Sequence, residues 1–140
     1  MDELEFIKKN AQLVIDQLGP LSEISFGLNR DSVAWVEAYI EGQRARSDLS
    51  QVTIDKLVNV LGSFLGECII ANAGGRWQLS AEDGWSVAFP DNNHAYPFNK
   101  VRKLFLNGLE SGDSILSFYD TTVDYLSKGK LNRDQGHTGP

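Results

Sequence analysis

Nucleophilic, acid–base and metal chemistry rest on a few side-chain types, and this chain is sparing with them. It has one cysteine, Cys68, and two histidines, His94 and His137. One cysteine and two histidines, with His137 in the predicted tail, cannot build a typical zinc site, so no metal or cofactor is expected. A Cys–His nucleophile pair would have to join Cys68 to His94. Cys68, however, shares a helical face with Leu61, Leu65 and Ile69, where a thiol is expected to be buried and inert. The phosphate-binding GxxxxGK[ST] loop, GxGxxG, GxSxG and HExxH are all missing. No catalytic residue is assigned, and the balance of residue types weighs against an enzyme.

The segment that stands out is Leu61-Gly62-Ser63-Phe64-Leu65-Gly66-Glu67-Cys68, followed by Gly74-Gly75-Arg76-Trp77. Gly62 and Gly66 are one helical turn apart and share a face. A glycine costs a helix roughly 1 kcal/mol against alanine, so two on one face predict that another backbone approaches closely. One reading is packing, with Glu67 paired to Arg76, Arg102 or Lys100. The other is a cleft in which Glu67 and Arg76 face a small ligand, with Glu67 or His94 as the acid–base group. Further candidates gather around a predicted hairpin. Trp85 and the loop residues Asp91, Asn92, His94 and Tyr96 form the expected partner-binding set, because recognition favours loops on a rigid scaffold and aromatic anchors. Lys100-Val101-Arg102-Lys103 reads as a solvated helix face paired with carboxylates such as Glu110.

These residues need elements to hold them. Leu4, Ile7, Ala11, Val14, Ile15 and Leu18 recur at three- and four-residue steps, predicting an amphipathic helix that stops at Gly19-Pro20. A second helix is expected from about Asn29–Ser32, with Val33, Val36 and Ile40 inward. The third, from Ile54 through Ile70, is apolar enough to lie at the centre, with Asp48 or Ser50 as its cap and Gly74-Gly75 as its stop. The period then changes to two. Trp77 and Leu79, then Trp85, Val87 and Phe89, alternate with polar residues around a turn at Ala81–Gly84, which predicts a hairpin. His94–Tyr96 adds a short third strand, and Pro97 ends the pairing. Helices over Phe98–Asn107 and from Asp113 or Ser114 close the fold. The expected fold class is thus α+β: helices packed on a small antiparallel hairpin or three-stranded meander, with two C-terminal helices. Residues 1–127 form one domain, and 128–140, without periodicity, are expected to be a disordered tail.

A chain of 140 residues suits a single core. Its formal charge of −6 and pI near 4.8 disfavour nucleic acid and suit a basic protein partner. No apolar run is long enough to span a bilayer, the N-terminus MDELEFIKKN lacks the pattern of a secretory signal, and a lone cysteine fits a reducing compartment. A cytoplasmic location is expected.

The pattern LGSFLGECI, then GGRW, a hairpin ending in AFP, and PFNKVRKLFLNG before a last helix resembles small bacterial proteins of unknown function. In these a LGxxxGE helix runs into a Gly-Gly-x-Trp strand. The resemblance covers residues 57–126, and its motifs are glycines, aromatics and apolar positions. It implies an α+β domain and carries over no catalytic residue. Two functional readings stay open. One is a non-catalytic protein-interaction domain, with a toxin-neutralising immunity protein as its concrete form. The other is a small-ligand binder or enzyme with a cleft near Glu67.

Overall fold

The structure, a computed structural model, describes residues 2–135, and side chains over 2–126. Asp2 caps the first helix, α1 (Glu3–Ser22), its carboxylate accepting the Glu5 N–H at 2.8 Å. The helix runs through Gly19-Pro20, where the sequence predicts a stop. Proline removes one N–H and crowds the carbonyl four residues back. Here the loss falls in the final turns, while Val14 and Ser22 are buried and Ile15 and Leu18 pack on the core. The Ser22 hydroxyl donates to the Gly19 carbonyl at 2.7 Å, and Glu23, at φ 59°, ends the helix in the left-handed region.

Asn29 caps α2 (Arg30–Arg44) by accepting the Ser32 N–H at 2.9 Å, and α2 buries Val33, Val36 and Ile40. Ser50 caps α3 (Gln51–Ala73), which ends at Gly74. This is the central helix: Val58, Leu61, Phe64, Leu65, Cys68 and Ile69 are all nearly inaccessible. Helix α1, the two C-terminal helices and the sheet all pack against it.

The sheet has three strands, β1 (Arg76–Ser80), β2 (Gly84–Ala88) and β3 (His94–Ala95), antiparallel in that order. The register sets Trp77 opposite Val87 and Leu79 opposite Trp85, with Ala95 beside Val87. Side chains alternate across a strand. Trp77, Trp85, Val87 and Ala95 therefore share the face turned to the helices, and Val87 and Ala95 are buried there. Arg76, Gln78, Ser86, Ala88 and His94 share the opposite, polar face.

Proline opens α4 (Pro97–Asn107), where its missing N–H costs nothing. A single 3₁₀ turn, Leu109–Ser111, leads to α5 (Ile115–Gln135). The start of α5 is held from another helix. The Glu37 carboxylate on α2 accepts the Ser114 hydroxyl at 2.6 Å and the Leu116 N–H at 3.1 Å, while Ser114 accepts the Ser117 N–H at 3.0 Å. The α5 backbone continues as helix to Gln135, past the boundary predicted near Ser127. Extending a formed helix needs no new nucleus, so it can outrun its apolar periodicity. The rest of the predicted tail, 136–140, lies outside the described residues. The architecture is the α+β fold expected: five α-helices and one antiparallel meander among the described residues, with α4 and α5 last.

Candidate functional site

The glycine face of α3 is filled by aromatic rings. A Cβ at Gly62 would meet the Phe98 ring and, at 2.9 Å, the Phe98 Cα; one at Gly66 would overlap the Trp77 indole. The two rings lie 5.7 Å apart, tilted by 36°. Glu67 stands beside this layer and accepts the Trp77 indole N–H at 2.9 Å. Its partner is thus an indole and not one of the cations the packing reading named. Arg102 pairs instead with Asp55 at 2.8 Å, holding that carboxyl below its usual range, and Lys100 sits 5.3 Å over the Phe118 ring. Arg76 projects from the other face of β1. The structure therefore does not bring Glu67 and Arg76 together.

An acceptor role for Glu67 makes a specific prediction. Glu67→Gln keeps an oxygen for the indole and should cost under about 1 kcal/mol, whereas Glu67→Leu strands the N–H and should cost about 1–3 kcal/mol. Urea unfolding of both variants separates the roles; equal losses would mean that charge, and not hydrogen-bond acceptance, is what matters at this position.

Cys68 is fully buried in the core, and desolvation, followed by the nearby Glu67 charge, pushes its thiol far above the ordinary range. It is held as a thiol and lacks the thiolate that nucleophilic chemistry requires. Among the described residues, no group of three or more Cys, His, Asp or Glu is placed to hold a metal ion.

Two concavities flank the hairpin, and between them they take four of the five partner-binding residues that the sequence suggested, leaving out Asp91. The first, of about 650 Å³, lies where β2 runs out past β3. Val58 of α3, Trp85, Tyr96, Phe98 and Arg102 line it, with Asp83 at the hairpin turn. Trp85 stands edge-on to Trp77 at 6.5 Å, and its indole N–H is held by Glu3 of α1 at 2.8 Å. Asp83 lines the concavity and Glu3 contacts Trp85, and both are exposed, as is Glu82 at the same turn, so carboxylates stand beside a half-buried tryptophan and an exposed tyrosine, with Arg102 on the α4 side.

The second concavity, of about 470 Å³, lies on the polar face of the sheet. It holds His94 together with Arg76, which the cleft reading of the sequence had grouped with Glu67, and adds Asn92 from the partner-binding set. His94 stacks on Tyr96 at 6.3 Å between ring centres, and its Nδ1 lies 2.9 Å from the Ser86 hydroxyl. Asp91 is turned to its own loop, accepting the Asn93 backbone N–H at 3.1 Å and its side-chain amide at 2.9 Å. Gln78 and Phe98 were not singled out from sequence. Strand alternation puts Gln78 on the Arg76 side and could have found it; nothing in the α4 pattern marks Phe98.

No family of proteins, no curated protein and no solved structure matches this chain.

Proposed function

We propose that this protein is a non-catalytic interaction domain that receives a basic protein partner on the hairpin-edge face around Trp85 and Tyr96. The observation that carries the reading is that Trp85 and Tyr96 line one concave surface beside the carboxylates of Asp83 and Glu3, while the arginine that lines it, Arg102, is paired with Asp55. Tryptophan and tyrosine dominate interface hot spots because each contributes large, rigid contact area with one polar handle. Trp85 is already oriented by Glu3, so little side-chain entropy is lost on binding. Glu3, Glu82 and Asp83, on a chain of net charge −6, favour approach of a cationic surface and repel nucleic acid. An immunity protein of a bacterial cytoplasm, neutralising a basic toxin by covering it, is the concrete form proposed. No helix among the described residues is long and apolar enough to cross a membrane.

Trp85→Ala should weaken partner binding by about thirtyfold or more, the size of an interface hot spot. Reversing the charge of the turn with Glu82→Lys and Asp83→Lys should mainly slow association and flatten its salt dependence. Binding of the full chain and its variants to a partner recovered at low salt is the measurement, with circular dichroism confirming each fold. Recovery of no specific partner, or a partner held equally by Trp85→Ala, would sink the reading.

A further inference from the structure

The polar face of the sheet has a shape set by its register. Arg76, Ala88 and His94 stand in one row across the three strands, and Gln78 stands opposite Ser86 in the next. The middle strand thus carries only small side chains, Ser86 and Ala88, between long ones on β1 and β3. Adjacent strands lie about 4.8 Å apart, so Arg76 and His94 rise from backbones roughly 10 Å apart, with an alanine floor between them. The result is a trough above β2, closed at one end by Phe89, Pro90 and Asn92.

The chemistry of this trough runs against that of the whole molecule. The chain is acidic, yet no carboxylate lines the trough. The ion pairs among the described residues engage Arg30, Arg44, Arg46 and Arg102, which leaves the exposed Arg76 without one among them. Nδ1 of His94 lies 2.9 Å from the Ser86 hydroxyl, and in the tautomer in which Nδ1 accepts from that hydroxyl, Nε2–H is a donor. Arg76, Gln78 and Asn92 therefore offer N–H groups around one floor, His94 adds another in that tautomer, and the exposed Pro90 offers apolar surface at its end.

We infer that the trough over β2, between Arg76 and His94, is a carboxylate-binding site independent of the partner face around Trp85. A guanidinium matches the two oxygens of a carboxylate with two parallel N–H donors, and the remaining lone pairs can take the amide and imidazole hydrogens. The cavity is larger than a carboxylate alone, so the acid carries a short further segment that reaches Pro90. Such an acid could be a free small dicarboxylate or the C-terminus of a peptide.

The test is an NMR titration of the full chain, followed at the Arg76 Nε–H and the His94 ring. The probes are succinate, N-acetyl-tetra-alanine with a free carboxylate, and the same peptide as its C-terminal amide. Saturable shifts at both residues with at least one acid, and none with the amide, are expected; the tighter of the two acids identifies the source. Arg76→Gln should weaken binding about tenfold or more, since it removes a charge-assisted bidentate contact. Ala88→Leu fills the floor without touching a charge and should weaken it as well, while Trp85→Ala should leave it unchanged. Equal response to the amide, shifts spread over several surface cations without saturation, or full affinity in Arg76→Gln would overturn the proposal.

Discussion

Gly62→Ala should destabilise the protein by about 2–3 kcal/mol, although alanine is the better helix former, because inserting a methyl into a filled contact forces strain that the neighbours must absorb. The neighbour here is partly backbone. A methyl at position 62 meets the Phe98 Cα at 2.9 Å as well as its ring, so a rotamer change of Phe98 cannot make room, and α4 itself must move. Gly66→Ala presses on the Trp77 indole, which is held by Glu67 and backed by Phe98, and should lose a similar amount. Gly42 supplies the control. It lies inside α2 with open space where its Cβ would be, so Gly42→Ala should gain up to roughly 1 kcal/mol from propensity alone. Urea unfolding of the three variants reads opposite signs for the same chemical change. A neutral or stabilised Gly62→Ala would mean that α3 and α4 do not approach as closely as described.

That pair of glycines shows which parts of the molecule were legible in the sequence. Periodicity carried α3 and the change to alternation at Trp77 carried the meander, because both patterns are local consequences of burying one face; residue type gave the glycine stop and left the cap between Asp48 and Ser50, of which the structure uses Ser50. The spacing of Gly62 and Gly66 predicted a close backbone, which is found at Gly62, where the Phe98 Cα would lie 2.9 Å from an added Cβ, while at Gly66 the neighbours are side chains. It could not say that two aromatic rings, Trp77 and Phe98, would fill that face, since they arrive from β1 and α4. Pro20 misled because the general cost of proline in a helix was weighed without the burial of Val14 and Ser22, which carries α1 past it. Glu37 gave no signal at all: its two bonds reach across to the start of α5, and a cap from a different helix leaves no trace in local spacing.

The candidate sites divide along the same line. Trp85, Tyr96, Asn92 and His94 were nameable individually from residue type and loop position. What they do together depends on register: Val87 beside Ala95 and Ala88 beside His94 put His94 in a row with Arg76, while Trp85 turns to the helices. A shift of one residue in β3 would exchange the two faces. Pairing of this kind is a property of the folded sheet, so no single-residue signal could separate the aromatic, carboxylate-flanked edge from the cationic trough.

Phe64→Ala carries the largest expected loss, about 3–5 kcal/mol, the cost of removing a buried phenylalanine and leaving a cavity. Phe64 is 1% exposed and lies on the side of α3 away from the glycine face. It stacks on Phe26 at 5.4 Å, and Phe26 in turn meets Trp35 of α2 edge-on at 5.7 Å. The α1–α2 connection and α2 are thus anchored through Phe64, while Trp77 and the sheet are anchored through the opposite face of the same helix. If α3 belongs to one cooperative core, the damage cannot stay on the Phe26 side, because the helix that Trp77 packs against loses its own support. The three tryptophans make this measurable. Phe64→Ala placed in a Trp35→Phe background leaves Trp77 and Trp85 to report on the sheet. Placed in a background of Trp77→Phe and Trp85→Phe, it leaves Trp35 to report on α2. Each is compared with its own background, and both fluorescence transitions should move to lower urea by the same free energy, with coincident circular dichroism. Since small domains are stable by only about 5–15 kcal/mol, a drop of this size should bring the variant near its unfolding midpoint in mild denaturant. Loss confined to the Trp35 transition, with the sheet unfolding where it did before, would mean two cores that share a helix, and the aromatic layer on Gly62 and Gly66 would then hold the hairpin by itself.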